Sequence, residues 1–345
     1  MTATIGIVDV ERFRTAIARR LGLLFDESKL GYLGEVLARR TESSGGSAAT
    51  YLDRLESQEP LHAELRALAQ ELTVSETYFF RHLDQFRAFA ELAIPDRLSA
   101  RAGARKLSLL CAGCASGEEA YSLAILVRER LPQPGWEVSI RAVDINPASL
   151  EKAKIGRYSA WALRETPADH QQRWFRSEGR EWVLDPALRA QVRFEERNLV
   201  HDDADLWQTS SYDIVFCRNV LMYFTPEHAQ ALVGRITRSL APGGTLFLGH
   251  AETLRGLSQD YHLRHTHGTF YYQRKDVLEH TPVDLVPVQT WRPPASGPAT
   301  DLAWTATWIE TVQRASERIH ALASTPPRQS EGGVASPAVA GPRLD

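Results

Sequence analysis

Apolar residues recur at helical spacing through the first hundred positions and then, from Lys106, gather into short runs separated by helical stretches. Val10, Phe13, Ile17 and Leu21 share one face behind Asp9, a cap candidate, and Leu30, Leu33 and Leu37 make a second stripe. The Ser/Gly-rich joint ESSGGSAAT interrupts, and Leu61, Leu65, Leu68 and Leu72 resume the pattern just after Pro60. This spacing predicts a small helical bundle. Beyond it, LSLLCAG, VSIRAVDI, YDIVFC and GTLFLGH are apolar enough for buried strands, with the helical stretch YSLAILVRERL among them. That alternation predicts an α/β architecture, a parallel sheet with crossover helices. Between Trp174 and Glu195 the run WFRSEGREWVLDPALRAQVRFEE alternates among turn residues, and a small antiparallel insertion is expected there.

The C-terminal part is a different material. Nine of the eighteen prolines fall between Pro282 and Pro342, which predicts an extended linker after Asp276 and a disordered end after Ser324. Between them Asp301 is placed to cap a helix over about 301–322, with Leu302, Trp308, Ile309, Val312, Ile319 and Leu322 near one face. Such a helix must bury that face on its own body or on an unidentified protein partner. The expected division is a helical domain over 1–90, an α/β domain over 91–275 and the Pro-rich tail over 276–345.

Composition narrows the function classes. With 345 residues, 43% apolar, the chain has carbon enough for two or three ordinary cores. A net charge of −3 gives no overall attraction to nucleic acid or to an anionic membrane, and no stretch reads as a signal peptide or a membrane span. The three cysteines, Cys111, Cys114 and Cys217, are too few for a disulfide framework and fit a reducing compartment, the cytoplasm. Cys111 and Cys114 have no second Cys or His pair at zinc spacing, so packing is the expected role and no metal is expected.

In open α/β sheets ligands bind beyond the carboxyl ends of the strands, so residues just after each strand matter most. The first such loop, Cys111-Ala-Gly-Cys-Ala-Ser-Gly-Glu-Glu119, lacks the phosphate-loop ending, and Glu118 and Glu119 open its helix. Two carboxylates there would repel a pyrophosphate and attract an ammonium group. Ser116 and Glu119 also have capping-box spacing, which is a purely structural explanation of both. Asp144 ends the second strand, where an acid usually meets ribose hydroxyls, or it caps the segment starting at Pro147. Asn198 with Leu199, and Arg218-Asn219-Val220 with Tyr223 just beyond, complete the sheet-edge set.

A helix ending in L-x-P-G-G before a strand, with an acidic second-strand tip, looks like the class I (Rossmann-like) S-adenosylmethionine-dependent methyltransferase fold. Thr73-Val-Ser-Glu-Thr-Tyr-Phe-Phe-Arg81, Ala115-Ser-Gly-Glu-Glu-Ala-Tyr-Ser-Leu-Ala124, Asp144-Ile-Asn146, Phe216-Cys-Arg-Asn-Val-Leu-Met-Tyr-Phe224 and Gly249-His-Ala-Glu252 narrow this further. In this order and spacing they resemble the CheR family of chemoreceptor glutamate methyltransferases, over about Asp9 to Arg274. The resemblance implies a doubly wound sheet with an N-terminal helical domain and a small antiparallel β insertion. It implies S-adenosylmethionine as cofactor, S-adenosylhomocysteine as product, and the cytoplasmic domain of a methyl-accepting chemoreceptor as substrate. By the same resemblance Ser75, Thr77, Arg81, Glu119, Asp144, Asn198, Leu199, Asn219 and Val220 face the cofactor. Ser75 departs from the Asn of many members.

A glutamate is already ionised at neutral pH, so such a reaction needs alignment and desolvation rather than a base. Arg81 is the first candidate to hold the carboxylate, with Tyr223 as a second catalytic candidate. Lys29, Arg39 and Arg40 on or near the second helix match a basic receptor-binding surface of the family, although a solvated helix face explains each of them as well. The turn at Gly179-Arg-Glu-Trp182 is short for a peptide-binding loop, so no dependence on a receptor tether is expected. A nucleic-acid methyltransferase would favour a basic balance and an Asn/Asp-Pro-Pro-Tyr loop, where this chain has Arg218-Asn-Val-Leu-Met-Tyr223. A small-molecule methyltransferase and a non-catalytic cofactor-binding scaffold stay open as alternatives.

Overall fold

A computed structural model describes residues 5–57, 61–131 and 135–277. The tail expected to carry a linker and the 301–322 helix lies outside the described residues, as does Pro60. Helices α1 (Ile7–Leu21), α2 (Leu30–Ser44), α3 (Ala48–Glu56) and α4 (His62–Leu72) bury Phe13, Ile17, Leu33, Leu37, Leu52, Leu55 and Leu68 against one another. Asp9 is not the N-cap of α1 but its third residue, and its carboxylate accepts from the N–H of the capping Gly6 at 3.2 Å. The Ser/Gly joint is two caps back to back. Gly45 ends α2 in the left-handed region at φ 70°, and the Ser47 hydroxyl accepts from Thr50 N to start α3.

After a loop that crosses the molecule, α5 (Leu83–Ala88), a π-helical turn and α6 (Ile94–Ala100) pack against the sheet, not the bundle. The sheet then alternates with helices: β1 (Lys106–Ala112), α7 (Glu118–Arg130), β2 (Glu137–Asp144) and α8 (Pro147–Ile155). A small unit follows, made of β3 (Arg157–Ser159), α9 (Ala168–Trp174), β4 (Phe175–Glu178) and β5 (Glu181–Leu184), paired antiparallel in the order β3-β5-β4. This insertion begins earlier and ends sooner than the sequence predicts. After α10 (Pro186–Arg189), β6 (Val192–Glu196) leaves it and pairs parallel with β2 in the main sheet. Then come β7 (Tyr212–Cys217), α11 (Pro226–Ser239), β8 (Leu240–Leu248) and the hairpin β9 (Tyr261–Thr266) and β10 (Thr269–Arg274).

The main sheet runs β6-β2-β1-β7-β8-β10-β9, parallel except at its β10-β9 end. The central strands read as unbroken apolar runs because both faces are covered. Leu109, Cys111, Ile140, Ala142, Ile214, Phe216 and Phe247 face one core with α7, whereas Leu110, Ala112, Val143, Val215, Cys217, Leu246 and Leu248 face the other with α11. This is the doubly wound class I architecture that the resemblance implies. The strand order reverses between β1 and β7, which opens a crevice at their carboxyl ends. Among the described residues, no helix is long and apolar enough to cross a membrane.

Arg40 belongs to the bundle's framework. Its guanidinium donates to both Glu64 carboxylate oxygens at 2.9 and 2.6 Å, and the Tyr51 hydroxyl donates to Glu64 at 2.6 Å. Burial pushes the Glu64 carboxyl up, but the hydrogen bonds from Arg40 and Tyr51 outweigh it and hold the group below its ordinary 4.5. The contribution to stability is therefore complete above the unfolded value and fades as pH falls through the depressed one. Arg40→Glu is expected to cost about 2–3 kcal/mol, because it breaks a partly buried pair and adds a like charge. Thermal unfolding at pH 7 and pH 4 measures it, and the deficit should narrow at the lower pH.

Candidate active site

The crevice is built from loops whose backbones leave ordinary geometry. After β1 the chain turns through Gly113 at φ 78°, Ala115 at 45° and Gly117 at 92°. A Cβ on Gly113 would lie 2.4 Å from Val220 Cγ2, so only glycine lets the β1 and β7 loops meet. Asp144 at the tip of β2 holds this turn, accepting from Ala115 N and Asn146 N, each at 2.8 Å. Burial pushes its carboxyl up while those amides work against it. The cap of α8 falls to Asn146, whose side chain accepts from Ala148 N and Ser149 N. Asp144 is thus left with lone pairs beyond the strand end.

Ser116 and Glu119 form no capping box. Gly117 caps α7 in the left-handed region, and the Ser116 hydroxyl donates to both oxygens of the buried Glu118. Glu119 is released toward the crevice, where Arg218 Nη1 donates to it at 2.6 Å and the Cys111 thiol at 3.3 Å. Arg218 was visible as a polar residue ending an apolar strand, yet its role needs the fold. Its other terminal nitrogen donates to the Arg81 carbonyl at 2.7 Å, and the side chain is 1% exposed. One buried guanidinium therefore couples the β1 loop to the loop that carries Arg81.

Arg81 stands between two residues in the left-handed region, Phe80 at φ 55° and His82 at 63°. The surroundings impose that elbow. Phe80 N donates to Ser122 Oγ at 3.0 Å, Phe79 N donates to Ala162 O at 2.9 Å, and both rings are fully buried. The Arg81 guanidinium donates only to the Glu76 carbonyl, at 3.3 Å, among the hydrogen bonds of the described residues, and its buried Nε has no partner there. Tyr223 is half-buried nearby. Burial raises its hydroxyl, and the charges of Arg81 and Glu76 are felt there too. The His82 ring lies 4.3 Å from that of His250, and burial, aided by Arg218, pushes His82 down to about 3. His82 is neutral at pH 7 and a poor base.

The remaining candidates divide. Asn219 adopts φ 57°, and with Val220 it lies on a loop held by Glu252, whose carboxylate accepts from Asn219 N, Val220 N, Met222 N and Gly249 N. Glu252 ends the Gly249-His-Ala-Glu252 motif, and its sequence position gives no sign of this clamp because its four partners lie on two separate loops. Ser75 shares a 2.9 Å hydrogen bond with Ser149 and lies 3.5 Å from Asn146 Nδ2, which places Ser75 against the β2 loop. Thr77 is half-buried on the same stretch. The Asn198 amide donates to Arg20 O and accepts from Val200 N, so its side chain joins the end of α1 to the loop after β6 beside a cavity of about 210 Å³. Leu199 is buried, and its carbonyl accepts from Arg235. Among the surface cations Lys29 is exposed, Arg39 pairs with Glu71 at 2.9 Å, and Arg40 is occupied as described.

The acids at the crevice, Glu119 and Asp144, and the glycine-dependent close approach fit a ligand with an ammonium group and ribose hydroxyls, and disfavour a pyrophosphate. All three cysteines are free and buried, and burial pushes each thiol up, which keeps it protonated. No cluster of His, Cys, Asp and Glu that could hold a metal occurs among the described residues.

Residues 75–270 match the family model described as "CheR methyltransferase, SAM binding domain". The chain is 33% identical over 273 residues to Chemotaxis protein methyltransferase 2 of Vibrio cholerae, covering 77% of this chain and 92% of that protein. It is 32% identical to Chemotaxis protein methyltransferase Cher2 of Pseudomonas putida over 277 residues, 78% of this chain and 99% of that one. Chemotaxis protein methyltransferase 1 of Pseudomonas aeruginosa matches at 32% over 262 residues, 74% of this chain and 93% of that one.

Proposed function

Because the chain belongs to the CheR methyltransferase family and is an S-adenosylmethionine-dependent methyltransferase, we propose that it methylates glutamate side chains in the cytoplasmic domain of a methyl-accepting chemoreceptor. The product is a γ-glutamyl methyl ester. The observation that carries this reading is Arg81, a guanidinium whose only hydrogen bond among the described residues goes to a carbonyl, on a backbone that Arg218 ties to Glu119. A site built for a carboxylate substrate needs such an arginine.

S-adenosylmethionine supplies an electrophilic methyl group on a sulfonium. The chain's own residues bind, align and exclude water. Asp144 accepts from ribose hydroxyls, Glu119 with the adjacent loop faces the amino-acid end, and Asn198, Leu199, Asn219 and Val220 border the nucleoside. Ser75 and Thr77 close the side formed by the Arg81 loop. Arg81 fixes the plane of the target carboxylate and offsets part of its desolvation. Tyr223, its hydroxyl held protonated, donates to the same carboxylate. No general base is required, in keeping with a His82 that titrates at about 3. Exposed Lys29 and half-exposed Arg39 offer the receptor cations on the helical domain. The buried free thiols accord with a reducing cytoplasm.

The test is incubation of the full chain with methyl-tritiated S-adenosylmethionine and receptor-bearing membranes from its own host. Label in receptor that mild base releases as methanol is expected. Label only in small molecules would make the chain a small-molecule methyltransferase, and S-adenosylhomocysteine binding with no label anywhere would make it a scaffold.

A further inference from the structure

A ladder of alternating rings and guanidinium groups runs from Arg81 to the surface. The Arg81 guanidinium carbon lies 5.7 Å from the Tyr78 ring centroid, and that of Arg164 lies 3.5 Å from the same ring. Arg164 in turn stands 4.2 Å from the ring of Trp161, which is 70% exposed. Arg164 follows the 3-10 turn at Ala160–Leu163, between β3 and α9, so the small unit supplies the outer half of the ladder. That unit is locked to the Arg81 loop. Phe79 packs edge-on against Tyr158 and Phe175 with ring centroids at 4.8 and 4.9 Å, and its N–H donates to Ala162 O.

Three features set this surface apart. Trp161, Tyr78 and the two arginines are of the three residue types in which the hot spots of protein interfaces are enriched. Arg81 and Arg164 form no ion pair with a carboxylate among the described residues, and their hydrogen bonds go to backbone carbonyls, of Glu76 and Trp161. Stacking also fixes the plane of Arg164 and, with Nη1 on the Trp161 carbonyl, leaves the Nε and Nη2 edge, which has no hydrogen-bond partner among the described residues, to bond a carboxylate in bidentate fashion. Burial and the negative charge of exposed Glu165 push the Tyr78 hydroxyl up, which keeps that ring neutral between the two arginines.

We infer that this ladder is a docking surface for an acidic helix. Arg81 receives the glutamate to be methylated, and Arg164 receives a second carboxylate one turn away on the same helix face. Trp161 covers the apolar side of that turn. The spacing follows from the geometry. Both guanidinium groups are tethered to one Tyr78 ring, so they are less than two helical turns apart and suit carboxylates at i and i+3 or i+4. The inference rests on the glutamate-methylating reading and adds to it a sequence requirement in the substrate.

The test uses the cytoplasmic helical fragment of a host chemoreceptor, as wild type and with the acid one turn from the methylated glutamate changed to glutamine. Arg164→Ala and Trp161→Ala are each expected to raise KM for the fragment about tenfold, the size of one well-made interfacial contact. S-adenosylhomocysteine affinity and kcat at saturating fragment should stay within about twofold, since neither residue lines the cofactor crevice. The glutamine fragment should lose about tenfold with the wild-type enzyme and nothing further with Arg164→Ala, the signature of a coupled pair. Unchanged KM in both variants, or additive losses in the cycle, overturns the docking surface while methylation itself stands. A wild-type enzyme that binds S-adenosylhomocysteine but labels no receptor overturns the glutamate-methylating reading, and the ladder assignment falls with it.

Discussion

Arg81→Ala is expected to abolish methyl transfer, lowering kcat/KM for receptor by roughly a thousandfold or more, on an enzyme that still folds. Both halves of the expectation follow from how the residue is held. Its backbone is fixed by bonds the side chain does not make: Arg218 donates to the Arg81 carbonyl, and Ser122 accepts from Phe80 N. Removing the guanidinium costs the chain one 3.3 Å bond to the Glu76 carbonyl and a 5.7 Å ring contact, so the loss of stability should be below about 1 kcal/mol. The reaction loses far more. Two left-handed non-glycine residues flank Arg81, at about 1–3 kcal/mol of strain each, and the bonds and packing of Phe79 and Phe80 hold that elbow so that the guanidinium is presented in one place. Steady-state kinetics with receptor and calorimetry with S-adenosylhomocysteine separate the roles. A large loss in turnover with near-normal product binding assigns Arg81 to the substrate, equal losses assign it to the cofactor's carboxylate, and near-normal turnover removes it from the mechanism.

The parts of this molecule that were legible in sequence are those whose signal is local and repeated. Leu109, Leu110, Cys111 and Ala112 read as a central strand because burial on both faces forces a continuous apolar run. The bundle helices α1, α2 and α4 were legible because a half-buried helix writes its period into the chain. Helix α3 was hidden because Gly45 and Ser47, which end one helix and begin the next, read as a single flexible joint. Strand β3 has three residues and leaves no period, and β9 is almost wholly exposed, so neither carries an apolar signal.

At the site, residue identities were legible and partnerships were not. Ser116 and Glu119 have the spacing of a capping box, but the left-handed Gly117 takes the cap and frees Glu119 for Arg218, 99 positions away. Arg40 is on the helix where a receptor-facing cation was expected, but Glu64, 24 positions on, holds it at the bundle surface. Long-range ion pairs leave no trace in local pattern, and only the fold decides which cation has no carboxylate partner among the described residues. Lys29, Arg81 and Arg164 are set apart from Arg39, Arg40 and Arg218 by that criterion alone.

The second large effect is expected at Glu252, which touches neither reacting atom. Its carboxylate accepts from Gly249 N and Asn219 N at 2.7 Å, Val220 N at 2.8 Å and Met222 N at 3.3 Å, with the residue 3% exposed. Burial pushes this carboxyl up and the four amides work to hold it ionised. Those amides would otherwise point inward unpaired, because Asn219 in the left-handed region turns the loop back on itself. Val220, so placed, presses on the turn at Gly113, and the clamp thereby sets the separation of the β1 and β7 loops. Glu252→Ala should cost about 3–5 kcal/mol in urea unfolding, the range for a buried charge-assisted network left without its acceptor. Glu252→Gln keeps the volume but turns an NH₂ donor toward N–H donors, and about 2–3 kcal/mol is expected. In the glutamine variant, which should remain folded, S-adenosylhomocysteine affinity should fall at least about tenfold, because a shift of a few tenths of an ångström at Val220 reaches the cofactor turn. Retained affinity with lost stability would make Glu252 a structural clamp without influence on the crevice, and unchanged stability would show that the four amides find other acceptors.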